Sequence, residues 1–216
     1  MAARVATMHP PHELAVVHCS GALGLDALVA LAENPRGSFH PLQSFPAPRG
    51  PEAFRGITIA VDATTPALLK RLQRLARDLG ARPKHVPDRQ RVLYHAAAVF
   101  ASNYVIASVA EGVRLLEAAG WKRAEAERAL APLVEGVAAN LRLRGTVKAL
   151  TGPIRRGDAE TVARHLAELE DDRLYRMLGL VALRLAIEAG LEPAQAERTR
   201  RALTRDVAAT RRRGGG

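Results

Sequence analysis

Three clusters of side chains in this 216-residue sequence have the types and spacing to do chemistry. The first lies on an uncharged run from Val92 to Ala110, where His95, Ser102 and Asn103 recur. On a continuous helix His95 and Ser102 differ by about 20° around the axis, and Asn103 lies about 80° from His95. The three would share one side of that helix, with the Tyr94 hydroxyl on the adjoining stripe. Histidine titrates near neutrality, so such a side suits proton donation to a bound carbonyl or imine. The same groups would serve equally as hydrogen-bonded polar residues between packed helices.

The second cluster gathers where two strands should end. His40 stands in GSFHPLQSF (37–45), and His18, Ser20 and Gly21 follow the strand before it. In open α/β sheets the ligand crevice lies outside such strand ends. The backbone of Ser20–Gly24 (SGALG) could expose amides to an anion at the start of a helix, or Ser20 could simply cap that helix. The third cluster is TGPIRRGD (151–158). There Thr151, Arg155 and Arg156 beside a helix start suit a carboxylate or phosphate, or Asp158 caps the helix and the arginines face solvent. The single cysteine, Cys19, has no adjacent base and is expected to pack in the core. No HExxH, paired cysteine or acidic cluster points to a metal.

The elements that must position these groups change character near residue 88. Before it, Leu14–Cys19, Ser38–Leu42, Ile57–Val61 and Pro83–Val86 read as strands. Leu25–Ala32 and Thr64–Leu79 read as helices, the latter capped by Thr64 or Thr65 and ended by Gly80. Pro41–Gly56, with Phe45 and Phe54, reads as an ordered connection. After residue 88 the pattern is helical: 89–119, 123–143, 158–169, 171–189 and 193–209. The expected division is an α/β layer over 1–88, a helical domain over 89–209 and a disordered tail over 210–216. The uncharged run has the length of a membrane span, but its small alanines and polar groups favour a helix buried on all faces, in part by a second subunit.

Composition narrows the function classes. Apolar residues make up 48% of the chain and charged residues 25%, enough for a packed core. The formal charge of +10 is uneven: +3 over residues 1–88, +1 over 89–197 and +6 over 198–216. A near-neutral body with a basic tail and only 4% aromatic residues argues against nucleic acid as the main partner. Residues 1–11 lack the apolar segment of a secretion signal, so the cytoplasm is the expected compartment.

Read together, HCSGALGLDAL (18–28), GSFHPLQSFP (37–46) with FRG (54–56), YHAAAVFASNY (94–104) and ALTGPIRRGD (149–158) carry a resemblance. The chain resembles the reductase-like family that joins a Rossmann-like half to domain of unknown function 2520. The helical half of that family is similar to the C-terminal domains of 6-phosphogluconate dehydrogenase and related NAD(P)-dependent dehydrogenases. The resemblance implies a partial Rossmann-like layer followed by an all-α domain, hydride transfer with NAD(P), a small-molecule substrate and a homodimer with interlocking helical halves.

By position, the resemblance implies that Ser20, Gly21 and His40 flank nicotinamide and substrate, and that His95 and Asn103 act as proton donor and amide. Ser102 and Thr151 would assist in binding, and Arg155 or Arg156 would hold an acidic group of the substrate. The G-x-G-x-x-G fingerprint of the first βα turn is missing from these residues. The chain is therefore expected to hold the substrate side of a site without the nucleotide side, and Met1 is not expected to begin the complete unit. A non-catalytic assembly module is the alternative.

Overall fold

The computed structural model describes residues 2–205, so the expected tail over 210–216 lies outside the described residues. The chain divides into two compact units, Met1–Leu115 and Leu116–Gly216. The change from strands to helices falls at residues 85–88, as the sequence pattern indicates, whereas the units part some thirty residues later, within a helix.

The first unit opens with helix α1 (Ala2–Ala6), which the sequence reading did not anticipate. Strands β1 (Val16–His18), β2 (Arg36–Pro41), β3 (Thr58–Ala63) and β4 (Arg82–His85) form one sheet in the order β1-β2-β3-β4. β1 and β2 are parallel, β2 and β3 antiparallel, β3 and β4 parallel. The register pairs Ser38 with Asp62, Phe39 with Val61 and His40 with Ala60. Successive strand residues point to opposite faces. One face therefore carries Phe39, Ile59 and Val61, which pack on Leu68, Leu72 and Ala76 of α2 (Pro66–Asp78). Ile59 and Val61 are fully buried, and each such side chain contributes about 1.5–3 kcal/mol. The opposite face carries Ser38 and His40 of β2, with Asp62 and Ala60 of β3 beside them.

Local chemistry fixes the ends of α2. The Thr65 hydroxyl accepts from the Leu68 N–H at 3.2 Å, Pro66 fits the first turn, and Gly80 leaves the helix at φ +75°. The segment expected as a helix over 25–32 is a 3-10 helix, Leu25–Leu31, kinked at Leu28. The Pro41–Gly56 connection contains a short 3-10 turn, Pro51–Phe54, and the Phe45 and Phe54 rings lie 5.7 Å apart.

After β4 come α3 (Asp88–Ala101) and α4 (Asn103–Ala118), broken at Ser102, whose φ of −129° and ψ of −72° are not helical. By length and composition Asp88–Ala118 is apolar enough to cross a membrane, yet the expectation of a helix buried on all faces is corrected. Val92 is 74% exposed, Leu93 77%, Phe100 67% and Ile106 71%. The absence of charge marks a surface that the described residues do not cover, rather than a core. Cys19 is likewise corrected: it is exposed, because it follows the short edge strand β1 instead of packing under it.

In the second unit, α5 (Arg123–Ala149) is interrupted by Gly145 at φ +70°, two residues past the expected end at Leu143. Then follow α6 (Gly152–Arg156), α7 (Ala159–Glu168), α8 (Arg173–Glu188) and α9 (Pro193–Thr204). Val162, Leu166, Leu183, Ala186 and Leu203 make their core. Gly179 lets α8 approach α9, since a Cβ there would stand 2.6 Å from Leu203 Cδ2. Arg176 donates to the Ala202 and Leu203 carbonyls at the end of α9 and pairs with Asp172 at 2.7 Å. Asp158 caps α7 as expected, its Oδ1 accepting from the Thr161 N–H at 3.0 Å.

Candidate functional site

His40 lies near the end of β2, on the face away from α2. Across from it, α3 presents Arg91, Tyr94 and His95, which share one side of a helix because they are spaced i, i+3 and i+4. His40 Nδ1 and Tyr94 Oη are hydrogen-bonded at 2.8 Å, with ring centroids 5.6 Å apart and planes at 89°. Gly21, buried after β1, fits beneath the imidazoles. A Cβ at this position would lie 2.7 Å from His40 Cε1 and Nε2, and 2.9 Å from His95 Cδ2. A side chain here would have to displace one or both rings.

The break between α3 and α4 supplies the other end of the site. Ser102 Oγ donates to the Ala98 carbonyl at 2.8 Å and lies 3.0 Å from Asn103 Oδ1. His40, Tyr94, His95, Ser102 and Asn103 line one cleft of about 630 Å³, together with apolar side chains that include Leu42 and Ile106. The structure thus gathers four of the expected site residues, His40, His95, Ser102 and Asn103. The break at Ser102 makes the assumption of one straight helix wrong, but keeps these groups on the same cleft.

Burial holds the His40 imidazole below the usual histidine range, and the neighbouring His95 and Arg91 push the same way. Burial raises the Tyr94 phenol, against the opposing influence of Arg91. His40 is therefore uncharged at neutral pH, and the His40–Tyr94 pair holds protons that it can share with a ligand. Its order of donation depends on the imidazole tautomer. His18 has a different part. The Ser20 N–H donates to His18 Nδ1 at 3.2 Å, which leaves Nε2 to donate to the Gly24 carbonyl at 3.1 Å. That histidine closes the turn after β1, and burial lowers its pKa.

Ser20 and Gly21 do not fit the grip on a dinucleotide. Ser20 Oγ already accepts from the Ala22 and Leu23 N–H groups at 3.3 and 3.1 Å. The Leu25 N–H donates to Asp88 Oδ2 at 3.0 Å. A pyrophosphate would need those amides free, and it would meet the carboxylates of Asp26 and Asp88 at Gly24. The segment that follows is a kinked 3-10 helix, without the aligned amides of an α-helix N-terminus. Ser20 caps its own turn, and Gly21 makes room for two rings.

Thr151, Arg155 and Arg156 belong to the second unit. Arg155 donates to the Ala189 carbonyl at 3.1 Å, closing the end of α8, while Arg156 and Thr151 are exposed. The reading of the residues alone missed Arg91 and the pairing of Tyr94 with His40. The available signal was Arg91 standing at the edge of the uncharged run, one helical turn before Tyr94 and His95.

Comparison with known proteins finds the same fold elsewhere. Among solved structures the chain is similar to protein TM1727 from Thermotoga maritima at 26% identity and a TM-score of 0.74, covering 86% of this chain and 74% of that one. It is similar to BF3122 from Bacteroides fragilis, provisionally assigned as an NADP oxidoreductase, at 24% identity and a TM-score of 0.63, covering 83% and 66%. It also shares its fold with 1-pyrroline-5-carboxylate reductase from Streptococcus pyogenes at 14% identity and a TM-score of 0.52, covering 82% and 67%. Comparison with curated proteins gives no match. The family described as Domain of unknown function (DUF2520) matches residues 57–182, which takes in β3, α3, the helix break and most of the second unit. With more than half of its length so matched, the chain belongs to the DUF2520 family.

Proposed function

We propose that this chain provides the substrate side of an oxidoreductase-type site, binding a small molecule with a carbonyl or imine group in the cleft of the first unit. The observation that carries the reading is the 2.8 Å His40–Tyr94 hydrogen bond beside His95 on one cleft wall. The Tyr94 hydroxyl or the His40 imidazole donates a hydrogen bond to the ligand oxygen or nitrogen, and Asn103 orients the ligand through its amide. The fold shared with 1-pyrroline-5-carboxylate reductase and with a protein provisionally assigned as an NADP oxidoreductase supports the class of chemistry. The chain's own residues bind, orient and donate protons; the amides of its 20–25 turn do not hold a dinucleotide.

The reading is tested by saturation-transfer NMR with a panel of small ketones, cyclic imines and amides at neutral pH. At least one member is expected to bind. Tyr94→Phe is expected to weaken it by the value of one hydrogen bond, about 1 kcal/mol or roughly fivefold. Binding that is the same in Tyr94→Phe, His40→Ala and Asn103→Ala contradicts the reading.

A second reading, assembly, is favoured by the exposed apolar side chains of α3 and α4. We propose that a second copy of the chain covers them. His95, Ser102, Asn103 and Ser108 on the same helices suit a protein partner better than lipid.

A further inference from the structure

We propose that Arg91 is the positioning residue of this site, fixing where His40, Tyr94 and His95 meet and backing them with a permanent positive charge. The inference rests on the substrate-side reading of the cleft. Arg91 is 1% exposed. Its Nη2 donates to Ser38 Oγ at 2.6 Å and to the Val86 carbonyl at 3.2 Å, and its Nη1 to the Ser20 carbonyl at 3.5 Å. Each contact is next to a part of the site. Ser38 lies two residues before His40 on the same face of β2. Ser20 precedes the glycine that fits beneath both imidazoles. Val86 leads from β4 into α3 itself. One guanidinium therefore sets the spacing of the three segments that supply His40, Gly21 and the Tyr94–His95 turn.

A neutral side chain could tie these segments together without the cost of burying a charge. The charge is also incompletely matched. Arg91 Nε is buried without a hydrogen-bond partner, and Asp88 Oδ1 stands 3.7 Å away. Asp88 is half-exposed and its other oxygen already accepts from the Leu25 N–H. A buried cation in this place favours negative charge developing on a ligand atom at the His40–Tyr94 pair.

Around His40, α3 contributes Tyr94, His95 and Arg91, β3 contributes Ala60, and the turn after β1 contributes Gly21. Arg91 and His95 are thus the charged or titratable groups that add to burial in keeping His40 deprotonated.

The test is titration of the histidine ring C–H signals by NMR, without ligand, in the full chain. In the unsubstituted protein His40 is expected to titrate below the usual value of 6.5. Arg91→Met is expected to raise its midpoint, and Arg91→Lys to leave it closer to that of the unsubstituted protein. Ser38→Ala breaks a tie but keeps the charge, so it is expected to lower the melting temperature and leave the midpoint in place. Should Arg91→Met not fold, Arg91→Gln decides: it loses the charge but keeps a hydrogen-bonding end, and is expected to raise the His40 midpoint. A His40 midpoint at or above 6.5 in the unsubstituted chain overturns the proposal. So does a folded Arg91→Met with an unchanged midpoint, or an Arg91→Gln midpoint that stays or falls. Because no ligand is present, failure here leaves the Tyr94→Phe binding comparison standing, and failure of that comparison leaves this titration interpretable.

Discussion

At micromolar concentration the chain is expected to scatter light with twice its 23.2 kDa mass, and a Phe100→Asp, Ile106→Asp variant with that mass alone. The exposed apolar side chains Val92, Leu93, Phe100 and Ile106 are clustered on α3 and the start of α4 rather than scattered. Phe100 and Tyr104 stack edge to face at 4.9 Å across the helix break, which continues the apolar surface from α3 onto α4. Apolar surface removed from water gains about 25 cal/mol per Å², and contiguous patches of this kind on soluble chains mark interfaces. Obligate homodimer interfaces are hydrophobic in the same way. Both substituted positions are exposed in the single chain, so the aspartates leave the fold intact, whereas in an interface each would be a buried, unpaired charge costing several kcal/mol. A monomeric parent chain, or a variant that stays dimeric, contradicts the assignment.

NADPH is expected to bind the isolated chain more weakly than about 1 mM, equivalent to less than about 4 kcal/mol of binding free energy. The turn after β1, where a phosphate would sit, has its amides satisfied from within by Ser20 Oγ and Asp88. Two carboxylates, Asp26 and Asp88, lie against Gly24 there. Isothermal calorimetry reads this directly. Saturable heat at micromolar NADPH shows that the turn, or another part of the chain, opens to grip a dinucleotide.

Much of the architecture was legible because it is written in short-range patterns. The alternation of Phe39, Ile59 and Val61, and the Thr65-Pro66 start and Gly80 end of α2, each have a local cause, and the four strands and α2 lie within a few residues of their expected places. Asp158 was readable as a cap for the same reason. The failures come from tertiary context. An uncharged helix tells of apolar surroundings but does not say whether this chain or another molecule provides them, so α3 and α4 looked buried and are exposed. Cys19 follows an apolar run, yet β1 pairs only three residues at the sheet edge and leaves the thiol outside.

The candidate site was half legible. His40, His95, Ser102 and Asn103 stood out as polar residues in apolar segments, and the cleft collects them. That Tyr94 bonds to His40, fifty-four positions away, depends on how α3 crosses the sheet. Arg91 was hidden by its type, since a buried arginine is rare and its three partners come from separate segments. Ser20 and Gly21 matched a phosphate turn in composition, but the same residues serve the turn's own hydrogen bonds.

The central claim, that the His40–Tyr94 cleft is the ligand site, is tested most directly by following histidine and tyrosine side-chain signals while a panel compound is added. The second unit supplies an internal control: His165 and Tyr175 form a pair of nearly the same geometry, bonded at 2.8 Å with ring planes at 87°, on α7 and α8. The account predicts that the signals of His40, Tyr94 and His95 move in a saturable way while those of His165 and Tyr175 stay in place. Movement at His165 and Tyr175 with His40 unaffected contradicts it.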